Sequence, residues 1–250
     1  MTIRKFDPQS VPLIRPENLF NNLNVTPQAL VVFSPFDLKL VLSHSSVISG
    51  SIKNINFSSL YTIQIKGKHF TLAGPAIGAP VATMLLEVLI CFGACQIIAL
   101  GSCGSLNKKF RIGNFIIPEK AFSDEGVSSH YPLKGKRVKP SKKIFQGLKS
   151  ICQSQDQAWA PGKVWTTDAL FRETPQKIKK FQQKQAIAVE MELSAFFKVG
   201  NFYGVEVGAL LVVSDELFSQ TWKSGHKSNL YKKSFLKAAE IVFSLISQLE

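Results

Sequence analysis

The chain is poor in the residues that build disulfide frameworks and zinc sites. Its 250 residues include four cysteines, Cys91, Cys95, Cys103 and Cys152, and four histidines. No C-x-x-C pair occurs and no histidine cluster accompanies the cysteines, which argues against a metal centre. Cys91 and Cys95 lie four apart in an apolar helical stretch and read as small packed hydrophobes, and reduced thiols fit a cytoplasmic protein. Long apolar runs are missing as well. The longest are broken by Glu87, Gly93 or Asp215, well short of the ~20 residues a membrane helix needs. Met1 to Pro12 is mixed and polar, without the apolar run of a signal peptide. No fixed-period repeat or low-complexity tract appears. A soluble cytoplasmic protein without membrane contact, folded as one domain over residues 1–250, is expected.

Acidic residues are also scarce. Lysine and arginine number 30 against 17 aspartates and glutamates, a net charge of +13. Such a balance raises nucleic acid as a partner. The excess gathers in Lys134, Lys136, Arg137, Lys139, Lys142 and Lys143, a loop entering a helix, and in Lys177, Lys179, Lys180 and Lys184 on a helix face. Neither run interleaves aromatics as a single-strand platform does. A solvated basic surface, with modest steering of anionic substrates, is the reading, and no specific nucleic acid.

What the chain does have is an alternation of strand and helix signals. Gln28–Phe33, Tyr61–Ile65, His69–Ala73, Gln96–Leu100, Asn114–Ile117, Ala186–Glu190 and Val205–Val213 read as strands. Helical patterns cover Ala79–Phe92, Ser141–Cys152, Pro175–Gln183, Met191–Tyr203 and Lys227–Leu249. This order predicts an α/β fold of three layers, α/β/α, around a mixed, largely parallel sheet. Ligands of such sheets bind beyond the carboxyl ends of strands. Four ends carry polar material: Gly74 to Pro80, Gly101-Ser102-Cys103-Gly104-Ser105, Glu190-Met191-Glu192 and Ser214-Asp215-Glu216. Glycine turns let backbone N–H groups approach an anion, although most such turns are only tight turns.

Together these pieces resemble the nucleoside phosphorylase family of purine nucleoside phosphorylases, uridine phosphorylases and related nucleosidases. The resemblance runs from about Val31 to the final helix. Gly101-Ser102-Cys103-Gly104, Val189-Glu190-Met191-Glu192 and Val213-Ser214-Asp215 carry it, with Trp165 to Thr174 adding a further matching segment. It implies cleavage of a nucleoside's N-glycosidic bond by phosphorolysis, giving free base and a (deoxy)ribose 1-phosphate, purines slightly ahead of uridine. A hydrolytic nucleosidase and a non-catalytic nucleoside-binding protein are the alternatives. Orthophosphate would be co-substrate, no cofactor is implied, and a homodimer or homohexamer is expected.

The residues can be given roles on that basis. Breaking a ribosyl–base bond builds positive charge on the sugar, which a carboxylate at the ribose hydroxyls favours. Glu192 takes that part, with Met191 packed on the sugar and His130 as a further ribose contact. Asp215 matches the proton donor to a departing purine, and Glu216 beside it is expected to raise its pKa. Phe171, Arg172, Gly104 and Glu190 are assigned to the base, although Glu190 also reads as a backbone or salt-bridge partner. Ser102, Gly101, Gly78 and Lys39 are assigned to phosphate. Here the chain departs from the family. Typical members place an arginine two residues before the Gly-Ser turn, where this chain has Ala99. The first-strand loop, often Gly-Asp-Pro with a further arginine, reads Ser34-Pro35-Phe36-Asp37-Leu38-Lys39. Lys39 is the substitute point charge.

Overall fold

A computed structural model describes residues 12–47, 52–131, 138–219 and 221–249. In chain order the elements are α1 (Pro16–Leu19), β1 (Gln28–Val32), α2 (Pro35–Ser43), β2 (Ser46–Val47), β3 (Lys53–Ile55), β4 (Ser58–Ile65), β5 (Lys68–Gly74), α3 (Ala79–Cys91) and β6 (Gln96–Ser105). There follow β7 (Phe115–Asp124), α4 (Lys142–Gln153), β8 (Trp159–Thr167), α5 (Pro175–Gln183), β9 (Ala186–Glu190), α6 (Leu193–Tyr203), β10 (Glu206–Glu216), β11 (Lys223–Ser224) and α7 (Asn229–Ile246). Of the first basic run, Lys134, Lys136 and Arg137 lie outside the described residues; the remainder leads into α4.

Local chemistry places most helix starts. The hydroxyls of Ser34, Ser141, Thr174 and Ser228 accept from the backbone N–H three residues on, opening α2, α4, α5 and α7. Such caps satisfy one of the orphan donors of the first turn. Pro35 and Pro175 sit at the start of their helices, where a missing N–H costs nothing.

One sheet runs through the described residues. Strands β5, β1, β6 and β10 lie parallel in that order, and β7, β8 and β9 form a second parallel run. The runs join antiparallel at both ends, β10 to β7 and β9 to β6. The five strands β6, β10, β7, β8 and β9 thereby close into a ring, from which β1, β5 and β4 extend as an open sheet. Helices cover both faces. Leu85, Leu86 and Leu89 of α3 pack with Phe196 and Phe197 of α6 on one side. On the other, Leu38 of α2, Leu148 of α4 and Phe235 of α7 pack together. The expected α/β/α layering is present, with a mixed sheet. No helix among the described residues is long and apolar enough to cross a membrane.

Three expectations need correcting. Gly101 to Gly104 is not a turn beyond β6 but part of it, paired with Leu211 to Asp215 of β10. Glycine is required there by close approach. A Cβ on Gly101 would lie 2.8 Å from the Phe33 ring, and one on Gly104 would lie 2.3 Å from Leu217. Met191 and Glu192 precede α6 rather than opening it, with Glu192 at its N-cap. Cys91 is exposed at the end of α3, its thiol donating to Glu17 at 3.2 Å, rather than packed as a hydrophobe.

Candidate active site

The ring closure concentrates strand ends around one cavity of about 540 Å³. β9 enters antiparallel to β6, with Val189 opposite Gly104, so Glu190 arrives against the same stretch that Asp215 reaches from β10. The cavity is lined by Phe33 and Ser34 after β1, Ser102 to Gly104 of β6, Glu190 to Glu192, and Ser214 and Asp215. A rim of Ile77, Leu170, Phe171, Glu173, Trp222 and His226 completes much of it.

Glu190 and Glu192 face different tasks. Glu190 is 5% exposed. It accepts the Thr166 hydroxyl on Oε1, and on Oε2 the amides of Glu192 at 2.8 Å and Leu193 at 2.7 Å. Those are the first free N–H groups of α6, so Glu190 satisfies them and places a negative charge at the positive end of the helix dipole. Its carboxylate is therefore engaged in holding α6 as well as bordering the cavity. Glu192 accepts the Gly78 amide on Oε1 at 2.7 Å and, more weakly, the Met191 amide on Oε2 at 3.3 Å. Gly78 has φ +82°, a left-handed conformation that glycine adopts without strain, and it turns its N–H to the glutamate. Burial raises the pKa of both glutamates, and the charge of Glu190 adds to the rise of Glu192. Two buried carboxylates this close disfavour double ionisation.

Asp215 is half-buried and gripped from two sides. The Ser214 hydroxyl donates to Oδ1 at 2.7 Å and the Trp222 indole N–H to Oδ2 at 3.0 Å. Trp222 reaches it because β11 folds back on β10, with Ser224 opposite Asp215. Glu216, expected to act on Asp215, is engaged elsewhere. Successive strand residues face opposite sides, and Glu216 accepts from Arg111 Nε at 2.9 Å and from the Ile112 amide. Its pKa is lowered by those donors against the effect of burial. The carboxylate that does feel Asp215 is Glu173, pushed up to about 7 by burial and by the Asp215 charge, with Lys177 opposing.

Of the residues singled out from sequence, Ser102, Gly104, Phe171, Glu190, Met191, Glu192 and Asp215 meet in this cavity. Five do not line it. Gly101 packs beneath Phe33 within β6, and the Gly78 amide is committed to Glu192. Lys39 is exposed on α2, whose inward face carries Asp37, Leu38 and Val41. Arg172 and His130 are exposed at the ends of short 3-10 turns, Leu170–Arg172 and Val127–His130. Sequence reasoning missed Glu173, Trp222 and His226. Glu173 stood within the matched Trp165 to Thr174 segment; Trp222 and His226 sit in an aperiodic stretch that gave no signal.

With the geometry in place, comparison with known proteins fixes the class. The profile of the phosphorylase superfamily matches residues 27–249, and this chain belongs to that family. A DeoD-type purine nucleoside phosphorylase of Caldanaerobacter subterraneus is 24% identical over 188 residues, 74% of this chain and 79% of that protein. One from Bacillus cytotoxicus is 28% identical over 163 residues, 64% of this chain and 68% of that protein. Uridine phosphorylase from Vibrio fischeri superposes with a TM-score of 0.79 at 21% identity, covering 94% of this chain and 95% of its own. Purine nucleoside phosphorylase from Toxoplasma gondii does so with 0.80 at 18% identity, covering 94% and 93%. At those identities the structural likeness speaks for the fold.

Proposed function

We propose that this chain cleaves the N-glycosidic bond of nucleosides, purine nucleosides ahead of uridine. The observation that carries this reading is the placement of Glu192, Met191 and Asp215 around one cavity with two exposed rings, Phe171 and Trp222, at its mouth. Aromatic faces stack on nucleobases. A base held there presents its ring nitrogens to Asp215, while the sugar lies deeper, against Met191 and the Glu192 carboxylate. Glu192 then faces the carbon on which positive charge develops, and the favourable interaction grows toward the transition state. The names of the relatives support phosphorolysis, for which this chain offers Ser102. One observation favours hydrolysis instead. The described lining holds Glu173, Glu190, Glu192 and Asp215 but no lysine or arginine, a poor setting for a phosphate dianion. A panel of inosine, adenosine and uridine, with base release followed by chromatography, tests the reading. Faster release from inosine or adenosine is expected. A clear preference for uridine overturns the purine assignment, and no release from any nucleoside overturns the whole reading.

A further inference from the structure

Behind the corner of the cavity lined by Ser34, Ser102 and His226 lies a carboxylate that the chemistry above leaves unused. Asp37, on α2, is fully buried at 0% exposure. Its Oδ1 accepts the Tyr231 hydroxyl at 2.9 Å and lies 3.5 Å from Nε2 of His226. Its Oδ2 is buried without a hydrogen-bond partner among the described residues. His226 itself lines the cavity, its ring 4.9 Å from Phe36 and 4.8 Å from Tyr231. The Ser102 hydroxyl also interacts with the Tyr231 hydroxyl. Asp37, Tyr231, His226 and Ser102 thus converge on the corner where the family resemblance calls for phosphate.

A carboxylate in that position opposes a second anion, since burial strengthens repulsion as well as attraction. The same carboxylate suits an imidazole. Nε2 of His226 faces Asp37, and with its proton on that side Nδ1 is left as the acceptor. Phe36 and Tyr231 both pack against the ring.

We propose that the attacking nucleophile is water, that His226 is the general base that receives its proton, and that Asp37 is a positioning residue that orients His226. The proposal rests on the nucleoside-cleaving reading given above. In the step, the water oxygen bonds to the anomeric carbon as the carbon–nitrogen bond breaks and its electron pair leaves with the base. One water proton passes to His226 Nδ1, and the departing base takes one proton from Asp215. His226 returns its proton to solvent and Asp215 regains one, so the net products are free base and free sugar. The assignment also gives Tyr231 a purpose, as the donor that holds Asp37 Oδ1 beside the histidine.

The test uses the full-length enzyme with its best nucleoside, in phosphate-free buffer and with added inorganic phosphate, identifying the sugar product by chromatography. Free ribose at a phosphate-independent rate is expected. His226→Gln should lower kcat about a hundredfold or more, as for loss of a general base, with KM moving only a few-fold. His226→Ala should recover part of its turnover when imidazole is added, which a purely structural histidine would not do. Asp37→Asn should lower kcat with little change in KM. Ribose 1-phosphate as product, or His226→Gln turning over at the wild-type rate, overturns the proposal while leaving nucleoside cleavage standing. Absence of base release by the wild-type enzyme under both conditions overturns cleavage itself, and the water assignment with it.

Discussion

Replacing Glu192 with glutamine keeps the shape of the side chain and removes the charge, so the effect of the charge can be worked out. A glutamine carbonyl can still accept the 2.7 Å hydrogen bond from Gly78. What disappears is the attraction that the ionised form of the carboxylate exerts on the cationic sugar. For a separation of about 4.5 Å and an effective dielectric constant of about 20, that attraction is roughly 3.7 kcal/mol. Loss of one such transition-state contact lowers turnover by about 10²–10³-fold. Steady-state base release from the preferred nucleoside should show the loss in kcat, with a smaller change in KM. A second consequence has the opposite sign. Burial and Glu190 raise the Glu192 pKa above its value in the unfolded chain. The folded state therefore binds more protons between the unfolded and folded pKa values, and stability falls as pH rises through that window. Glu192→Gln removes this penalty, so the variant should melt at the same or a higher temperature than wild type at alkaline pH. Near-normal kcat, or a variant that loses activity only because it unfolds, would refute the reasoning.

Further outcomes follow from other contacts. Asp215→Asn should slow purine release by about 10²–10⁴-fold, as for loss of a general acid, while sparing ribosides whose leaving group needs no proton; equal loss on both substrate types would count against the donor role. Trp222→Phe keeps the ring but removes the 3.0 Å donor to Asp215, so kcat should fall further than KM rises, whereas unchanged kinetics would make that bond incidental. Gly104→Ala places a methyl 2.3 Å from Leu217 and 3.2 Å from Asp215 Oδ2; overpacking of this kind costs about 1–3 kcal/mol, to be read as a lowered denaturant midpoint at unchanged slope.

Much of this architecture was legible from the order of residues. The alternating apolar runs that became β1, β5, β6, β9 and β10 bury nearly all their side chains, so hydrophobicity alone reveals them. The Glu190 to Glu192 and Ser214-Asp215 elements follow such runs directly, and their meeting in one cavity could be anticipated from the rule about strand ends. What escaped depended on long-range pairing. β8 was not foreseen as a strand, because Trp159 to Thr167 mixes proline, glycine and lysine with its apolar residues, and pairing with β7 and β9 decides its conformation. The closed ring leaves no mark on local pattern. Trp222 enters the site because β11 returns along β10, and His226 because α7 places Tyr231 against its ring. Lys39 failed as a phosphate ligand for a related reason. Pro35 and the Ser34 cap turn that segment into a helix, whose periodicity carries Lys39 outward and Asp37 inward.

On this account the cavity complements a ribosyl cation flanked by Glu192 and Asp215. Binding of a nucleoside analogue whose sugar ring carries a fixed positive charge, measured by titration calorimetry beside the parent nucleoside, tests that claim directly. Transition-state analogues bind about 10² to 10⁸ times more tightly than substrates. The wild-type chain should bind the cationic analogue at least about a hundredfold more tightly than the nucleoside, and Glu192→Gln should erase most of that difference. Equal affinity for the charged and neutral sugars in the wild-type protein would contradict it.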